Sequence, residues 1–258
     1  MNRMREREKY MHCLRELRLE ASLRALDRIS MCSGIKRRLQ QLIEERRGGC
    51  VEYVPSEKNL CVVALSGGAD STASLILSVH AGMNPIAVTV LSHEHSMTPM
   101  VAEEVETLCL TINVPCEILD VGGEAFALFQ CALEGRYHPC GRCHACVEKK
   151  IYEYAKKKGI SAVVFGDLLS CGSECVKRVD GMLRINLPAM LAMTKEDTRL
   201  VSGKEEEIYG CALLRKVHMD FPHMRRYSIS RVLRETRAGV LTPAQATKYI
   251  ESIISYSQ

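Results

Sequence analysis

The chain has 258 residues, of which 47% are hydrophobic and 26% charged, with 13 cysteines and a formal net charge of +4. This composition is typical of a globular protein with a core and excludes disordered, collagen-like and coiled-coil chains. No apolar run reaches the roughly 20 residues of a membrane-spanning helix, and the charged N-terminus lacks a secretory leader, so we expect a cytoplasmic protein with no membrane contact. Because disulfides are rare in that compartment, the odd cysteine count indicates metal ligation, redox or sulfur chemistry, or burial.

The charge is distributed unevenly along the chain. Residues 1–50 carry 13 basic and 7 acidic side chains, residues 51–211 carry 14 and 21, and residues 212–240 carry 7 and 2. An acidic body between two basic ends predicts a catalytic domain with two surfaces for a polyanion, for which tRNA is the natural candidate. The alternative is that these arginine-rich helix faces are only solvated. We predict a basic helical region at 1–50, a catalytic domain at 51–215 and a basic helical region at 216–258.

Hydrophobic periodicity predicts alternating helices and strands. In chain order, the predicted elements are a helix at 4–30, a helix from 35 to the glycine pair at 48–49, a strand at 60–65, a helix at 72–80, a strand at 85–91, a helix at 101–110, a strand at 116–119, helices at 123–133 and 147–158, a strand at 161–165, and helices at 228–237 and 243–256. The pattern predicts an α/β fold with a doubly wound parallel sheet and helical extensions at both ends. Ligands of such sheets bind beyond the carboxyl ends of the strands.

A glycine-rich loop follows the first predicted strand. Residues 66–72 read Ser-Gly-Gly-Ala-Asp-Ser-Thr. The two glycines permit a close backbone approach to an anion, and the hydroxyl groups can donate to phosphate oxygens at the start of the next helix. No lysine follows, so this is not the phosphate loop of the P-loop NTPases. The alternative is a glycine turn whose polar residues cap a helix.

The SGGADS motif directly after a hydrophobic strand resembles the pyrophosphate-binding loop of the N-type ATP pyrophosphatases, the PP-loop family. The resemblance implies a HUP-like fold and an enzyme that cleaves ATP between its α and β phosphates, adenylating an oxygen so that a nucleophile can displace AMP. Asp70 would act through Mg²⁺, which would neutralise the leaving group. The residues implied to hold pyrophosphate and Mg²⁺ are Ser66, Gly67, Gly68, Asp70, Ser71 and Thr72.

A second landmark of this family is a glycine-centred loop after a later buried strand. Here Gly166 and Asp167 follow the strand at 161–165, with Asp167 where histidine is common in the family. The segment from Arg184 to Pro188 resembles the Arg-Pro-Leu segment of family members. The resemblance makes Arg184 a candidate contact to phosphate or AMP, and the alternative is an ordinary surface arginine.

Three cysteines at CxxCxxC spacing, Cys140, Cys143 and Cys146, open the helix predicted at 147–158. This spacing at a helix start suits zinc or an iron-sulfur cluster. With Cys131 they would form a closed four-thiolate zinc site, which resembles that of the 7-cyano-7-deazaguanine synthases.

The position of the cluster in the chain instead resembles that in the tRNA 2-thiocytidine and 2-thiouridine synthetases, whose CxxC is completed by a distant third cysteine. Cys211 stands in the matching context, so we prefer Cys140, Cys143 and Cys211 as ligands of a 4Fe-4S cluster, with Asp70 and these cysteines as the catalytic residues. Three ligands leave one iron free to hold the sulfur to be transferred. The roles of Cys146, Cys171 and Cys175 stay open.

The expected function is that of an ATP-dependent tRNA sulfurtransferase, which adenylates a base carbonyl oxygen and replaces it with sulfur delivered through the iron-sulfur cluster. Its expected partners are tRNA and a sulfur donor, namely sulfide, a persulfide protein or a sulfur carrier, and a homodimer is among the expected assemblies. One alternative is a PP-loop enzyme that adenylates a small molecule and carries a structural zinc, such as a deazaguanine nitrile synthase or an amide-forming ligase. Another is a nucleotide-binding redox sensor.

Overall fold

The structure is a computed structural model that describes residues 2–31, 33–54, 59–91, 99–169, 175–205 and 209–255. Among these residues, no helix combines the length and the apolar character needed to cross a membrane.

A six-stranded sheet forms the centre of the molecule. Its strands are β1 (Leu60–Ala64), β2 (Asn84–Leu91), β3 (Cys116–Asp120), β4 (Ala162–Phe165), β5 (Val176–Val179) and β6 (Met182–Asn186). The spatial order is β3-β2-β1-β4-β6-β5, and every pairing is parallel except that of β5 with β6. Val62 of the central strand lies beside Ile86 on one side and Val163 on the other. The predicted doubly wound sheet is confirmed.

The strands are joined and flanked by helices. These are α1 (Asn2–Arg28), α2 (Ser33–Arg46), α3 (Ala69–His80), α4 (Pro99–Thr111), α5 (Gly123–Leu133), α6 (Pro139–Lys157), α7 (Leu187–Met190), α8 (Lys195–Ser202), α9 (Ala212–Asp220), α10 (Arg225–Arg237) and α11 (Pro243–Ile254).

Successive residues of a strand point to opposite faces of the sheet. Helices cover both faces, so each face has its own core. Val63 contributes to a core on the side of α1 to α4, which includes Leu19 and Leu75. Val62 contributes to a second core, on the side of α5, α6 and α9, which includes Ile151. The connecting helices α3 and α4 lie on one side of the sheet, and α5 and α6 lie on the other. The direction of the crossovers therefore reverses between β1 and β4. This switch point is where open α/β sheets bind their ligands.

Several elements differ from the prediction. The hairpin of β5 and β6 and the short helices α7, α8 and α9 were not predicted. Because Arg184 and Asn186 interrupt the apolar run of β6, its sequence lacks the pattern of a buried strand although all five residues are buried. Helix α3 begins at Ala69 rather than at residue 72, and α6 begins at Pro139 rather than at residue 147.

The two ends of the chain pack differently. Leucines of α1 and α2 are buried in the same core as β1, whereas α10 and α11 share a small separate cluster around Val232 and Ile253. The three-region division of the chain stays a prediction.

Candidate functional site

A cavity of about 490 Å³ lies at the carboxyl ends of β1 and β4, at the switch point of the sheet. Its walls come from the loop after β1, the first turns of α6, the loop after β4, the start of α8 and the C-terminal third of the chain. Of the residues predicted from the sequence, those on its walls are Ser66, Asp70, Ser71, Cys140, Cys143, Gly166, Asp167 and Cys211.

The loop after β1 is held closed by its own hydroxyl groups. The backbone N–H of Ser66 donates to Oγ of Ser71 at 3.1 Å, and that hydroxyl donates to the carbonyl of Gly68 at 3.1 Å. Gly67 adopts a positive φ of 81°, which a residue with a side chain would strain to reach. Gly68 is the N-cap of α3 and provides no side-chain cap, so the N–H groups of the first turn point toward the cavity end of the helix. This is the backbone geometry of an anion site.

Gly166, at the end of β4, touches this loop directly. A Cβ atom on Gly166 would lie 2.7 Å from the backbone nitrogen of Ser71 and 2.9 Å from its Cα. A side chain at this position would therefore displace the first turn of α3. The loop after β1 and the loop after β4 therefore form one surface, and only a glycine at position 166 permits this contact.

Asp70 is held by two residues of α8 that the sequence analysis missed. Nζ of Lys195 lies 2.9 and 2.8 Å from the two carboxylate oxygens, and Oγ1 of Thr198 donates to Oδ1 at 2.7 Å. Helix α8 starts with a capping box in which Thr194 and Asp197 bind each other's backbone N–H groups. The Thr-x-x-Asp spacing is a sequence signal for that helix start. It gave no indication that Lys195 reaches Asp70.

Three predicted loop residues do not line the cavity. Gly67 packs against Val101, Gly68 serves as the N-cap, and Thr72 is buried in α3. Oγ1 of Thr72 has no hydrogen-bond partner among the residues described. Contact between these three residues and pyrophosphate stays a prediction.

The three preferred cysteines meet at the cavity. Cys140 and Cys143 lie one turn apart on the same side of α6, and Cys211 is the N-cap of α9. Burial raises the pKa of Cys140 to about 12, with further contributions from Cys211 and Cys143, while Arg231 opposes them. The CxxC forms the first turns of α6, which begins at Pro139 rather than at residue 147 because Pro139 occupies the first helical position. Two helix N-termini thus present thiols to the cavity.

The alternative zinc site of Cys131, Cys140, Cys143 and Cys146 stays a prediction. Cys131 and Cys146 are not among the residues that line the cavity, and Cys146, like Cys143, packs against the core beneath α6. Thiolates bound to one zinc at about 2.3 Å lie roughly 3.8 Å apart. In the described part of the chain no three cysteine sulfurs fall within 4.8 Å of one another. Cys175 is buried against Ser22, and Cys171 lies outside the described residues.

The set of Cys140, Cys143 and Cys211 also does not converge on a single point. An iron-sulfur cluster takes its thiolates on different irons, so its ligands surround a volume rather than one ion. Three thiols around one cavity wall, next to two helix N-termini and Arg231, fit such a group.

Arg184 is not on the cavity wall. Its side chain is buried, Nη2 lies 2.7 Å from Oδ2 of Asp167, Nη1 pairs with Glu148, and the guanidinium stacks 4.2 Å from the ring centroid of Phe165. Burial tends to raise the pKa of Asp167, but hydrogen bonds from His144 and Arg184 outweigh it and lower the pKa. Arg184 is therefore neither a surface arginine nor a residue exposed to the cavity, and it orients Asp167 from behind. Direct contact with phosphate stays a prediction.

His144 joins the same cluster from the cavity side. Its Nδ1 lies 3.0 Å from Oε1 of Glu148, and its Nε2 lies 3.7 Å from Oδ1 of Asp167. The neighbouring carboxylates of Asp167 and Glu148 raise the pKa of His144 to about 9. The sequence analysis did not single out His144, which stands between Cys143 and Cys146.

The C-terminal third of the chain completes the cavity. Tyr209, Arg231, Glu235 and Tyr249 line it together with Cys211. Nε of Arg231 lies 2.9 Å from Oε1 of Glu235, and the rings of Tyr209 and Tyr249 are 5.5 Å apart. Residues 212–240 were predicted to form a surface for a polyanion, and of the residues named here only Cys211 was predicted to belong to the site.

Comparison with known families adds to this geometry. A family model for the PP-loop domain matches residues 31–156, which include the loop after β1 and the cysteines of α6. The chain belongs to the PP-loop family. Enzymes of this family bind ATP and form adenylates. We refer to residues 66–71 as the PP-loop, and contact between these residues and ATP stays a prediction.

Two relatives come from Methanocaldococcus jannaschii. The uncharacterised protein MJ1638 is 33% identical over 255 residues, which cover 96% of each chain. The uncharacterised protein MJ1599 is 24% identical over 204 residues, which cover 74% of this chain and 72% of the relative. The similarity to MJ1638 extends over the N- and C-terminal helices as well as the PP-loop domain.

Solved structures with related architecture include the U34-tRNA thiolase NcsA from Methanococcus maripaludis with its [4Fe-4S] cluster. It is 13% identical, with a TM-score of 0.46, covering 85% of this chain and 77% of that chain. The NMN synthetase from Francisella tularensis is 15% identical, also with a TM-score of 0.46, covering 87% of this chain and 94% of that chain.

Proposed function

We propose that this PP-loop protein is an ATP-dependent tRNA sulfurtransferase, which adenylates a base carbonyl oxygen and replaces that oxygen with sulfur. The observation that carries the proposal is the shared cavity. The PP-loop and three thiols, those of Cys140, Cys143 and Cys211, line the same space of about 490 Å³. Thiols next to an ATP site are useful when a sulfur atom must be delivered to the atom that ATP activates.

The adenylation step uses the PP-loop side of the cavity. The base carbonyl oxygen attacks the α-phosphorus of ATP, the bond to the bridging oxygen breaks, and pyrophosphate leaves with the electron pair. The N–H groups at the start of α3 and the ammonium of Lys195 stabilise the departing charge. The carboxylate of Asp70 is the candidate ligand for Mg²⁺, which prefers oxygen ligands. When bound, this ion would neutralise charge on the leaving group.

The sulfur step uses the opposite wall. Cys140, Cys143 and Cys211 would hold a 4Fe-4S cluster, and three protein ligands would leave one iron able to carry the incoming sulfur. The N-termini of α6 and α9 and the guanidinium of Arg231 stabilise negative charge on the thiolates. AMP leaves with the former carbonyl oxygen as the carbon-oxygen bond breaks, and the carbon-sulfur bond takes its place. The sulfur comes from sulfide or a sulfur carrier, or from a persulfide protein, in which case a thiol supplies the two electrons that release the sulfur from its S–S bond.

Metal analysis of protein purified without oxygen tests the sulfur side. We expect about four irons per chain and a brown colour in the unmodified protein. Cys211→Ala should lose the iron, whereas Cys131→Ala and Cys146→Ala should keep it, because neither residue lines the cavity. One zinc per chain without iron, or zinc retained in Cys211→Ala but lost in Cys131→Ala, would support the small-molecule enzyme instead.

Formation of AMP tests the ATP side independently of the metal. Asp70→Asn should abolish AMP release in the presence of tRNA. Neither the ammonium of Lys195 nor the hydroxyl of Thr198 can replace the Asp70 carboxylate as the ligand for Mg²⁺. Glu103→Gln, an exposed change of the same chemistry on α4, is the matched control and should leave AMP release unchanged. Full activity of Asp70→Asn would remove the assignment of the PP-loop.

A further inference from the structure

The solvent side of α10 carries a run of basic residues that begins at the cavity. At 100° per residue, the exposed positions of this helix cover an arc of about 160°. Starting from the cavity, the residues met around this arc are Arg231, Tyr227, Arg234, Ser230, Arg237, Arg226 and Leu233. We refer to this set as the arginine face. It contains no acidic residue, since Glu235 lies on the buried side of the helix.

Most of the positive charge of the arginine face has no acidic partner among the described residues, since only Arg231 of its four arginines forms an ion pair. Residues 212–240 contain seven basic and two acidic side chains. Both acids are already engaged, Asp220 with Lys216 at 3.3 Å and Glu235 with Arg231 at 2.9 Å. Over the described ranges, no acidic side chain forms an ion pair with Arg226, Arg234 or Arg237. A helix face that is only solvated normally mixes both signs of charge, whereas a surface of one sign is the footprint of a polyanion partner.

An exposed aromatic residue lies among these arginines. The ring of Tyr227 is 48% exposed, and the guanidinium of Arg226 lies 4.8 Å from its centroid. The ring also lies 5.4 Å from that of His138, which is the N-cap of the helix that carries Cys140. A half-exposed tyrosine surrounded by arginines is the combination on which unpaired RNA bases stack. Its position beside α6 places that stacking site next to the cysteine wall.

We propose that the arginine face binds the single-stranded part of the RNA substrate, with Tyr227 stacked on a base that flanks the modified one and Arg226, Arg234 and Arg237 bound to phosphates. This inference rests on the proposed function, because it takes RNA as the substrate. Continuity with the cavity favours RNA: Arg231 belongs to both surfaces, so a strand lying along the arc leads a neighbouring base into the site. An anionic membrane fits less well, since Leu233 is the single aliphatic residue on the arc.

Binding of RNA without ATP tests the proposal separately from catalysis. The probes are a fluorescent 15-nucleotide oligouridine, a 15-base-pair RNA duplex and unfractionated tRNA, each titrated at several salt concentrations. Arg234→Ala with Arg237→Ala should reduce the slope of log K against log salt by about 1.4 for oligouridine. Lys156→Ala with Lys157→Ala, which removes two exposed charges at the far end of α6, should leave the slope unchanged.

Replacement of Tyr227 tests the stacking contact. Tyr227→Ala should weaken oligouridine binding by about 5- to 150-fold, whereas Tyr227→Phe, which keeps the ring, should bind within about 3-fold of the unmodified protein. The proposal is overturned if both double variants bind alike, if the duplex binds as tightly as oligouridine, or if the arginines matter only for binding to vesicles with anionic lipids.

These outcomes are distinguishable from failure of the proposed function. If RNA binds through the arginine face but no AMP or thiolated base forms, the sulfurtransferase proposal falls and the RNA surface stands. If thiolated base forms while the Arg234 and Arg237 changes leave RNA binding unaltered, the surface falls and the function stands.

Discussion

Replacing Gly166 by alanine places a methyl group where the backbone of the PP-loop already lies. The added Cβ would be 2.7 Å from the nitrogen of Ser71, whereas ordinary contact begins at about 3.4 Å. The nearest atoms, in Ser71 and Asp70, belong to the main chain and cannot rotate away, so β4 and the first turn of α3 must separate by about 0.7 Å. We expect the free energy of unfolding to fall by about 1–3 kcal/mol from this overpacking.

The effect on catalysis should exceed the effect on folding. In the proposed function, the first turn of α3 provides the N–H groups that bind the phosphates and carries Asp70, the candidate Mg²⁺ ligand. A misplacement of about 1 Å can reduce the rate of a positioned reaction about 100-fold. Gly166→Ala should therefore release AMP at least about tenfold more slowly than the unmodified protein at a temperature where both are folded. The assay is AMP release in the presence of tRNA, with thermal unfolding measured in parallel.

A matched glycine change provides the control. Gly123→Ala adds a methyl group at the start of α5, where no atom of the other described elements lies within 4 Å of the new Cβ and φ is not positive. It should leave AMP release and stability nearly unchanged. If Gly166→Ala is as active as Gly123→Ala, the close approach of β4 to the PP-loop does not position the ATP site, and the reasoning fails.

Two further substitutions test the roles of Lys195 and His218. Lys195→Met should raise the KM for ATP or lower the rate of AMP release by about 10- to 100-fold, since a charge-assisted contact of the Lys195 ammonium is worth about 1.5–3 kcal/mol. An unchanged kcat/KM would contradict a role of Lys195 at the phosphates. His218 is fully buried, and burial, followed by repulsion from His138 and Arg225, lowers its pKa to about 4. Because the pKa is lower in the folded state, the contribution of neutral His218 to stability is complete above pH 6.5 and is lost as the pH falls from 6.5 to 4. Over this range, urea unfolding should show a smaller loss of unfolding free energy in His218→Gln than in the unmodified protein, and equal losses would contradict a neutral buried histidine.

The part of the site that sequence reasoning found consists of residues whose spacing is local. Ser66 to Ser71 form one loop, and Cys140 and Cys143 lie one helical turn apart, so periodicity and motif spacing were sufficient to pick them out. Cys211 is about 70 residues away and was found only through resemblance to a family. The structure brings it to the same cavity by placing it at the N-terminus of α9.

The part that was missed depends on contacts between distant elements. Lys195 reaches Asp70 because α8 packs against α3, and no local pattern encodes that packing. Arg231 has the sequence context of a solvent-exposed helix, yet it lies beside Cys140. Arg184 was a candidate ligand contact from its motif, but the antiparallel hairpin of β5 and β6 was not predicted, so its burial between Asp167 and Glu148 could not be foreseen.

The central claim is that ATP and the three cysteines act on one RNA base in one cavity. Its most direct test is mass spectrometry of nucleosides from tRNA incubated without oxygen with the iron-loaded protein, Mg-ATP and sulfide. The account predicts a thiolated pyrimidine, a gain of about 16 Da per base, in amounts equal to the AMP released and absent from Cys211→Ala. AMP release with no sulfur in the tRNA, from an iron-loaded protein supplied with sulfide, would contradict it.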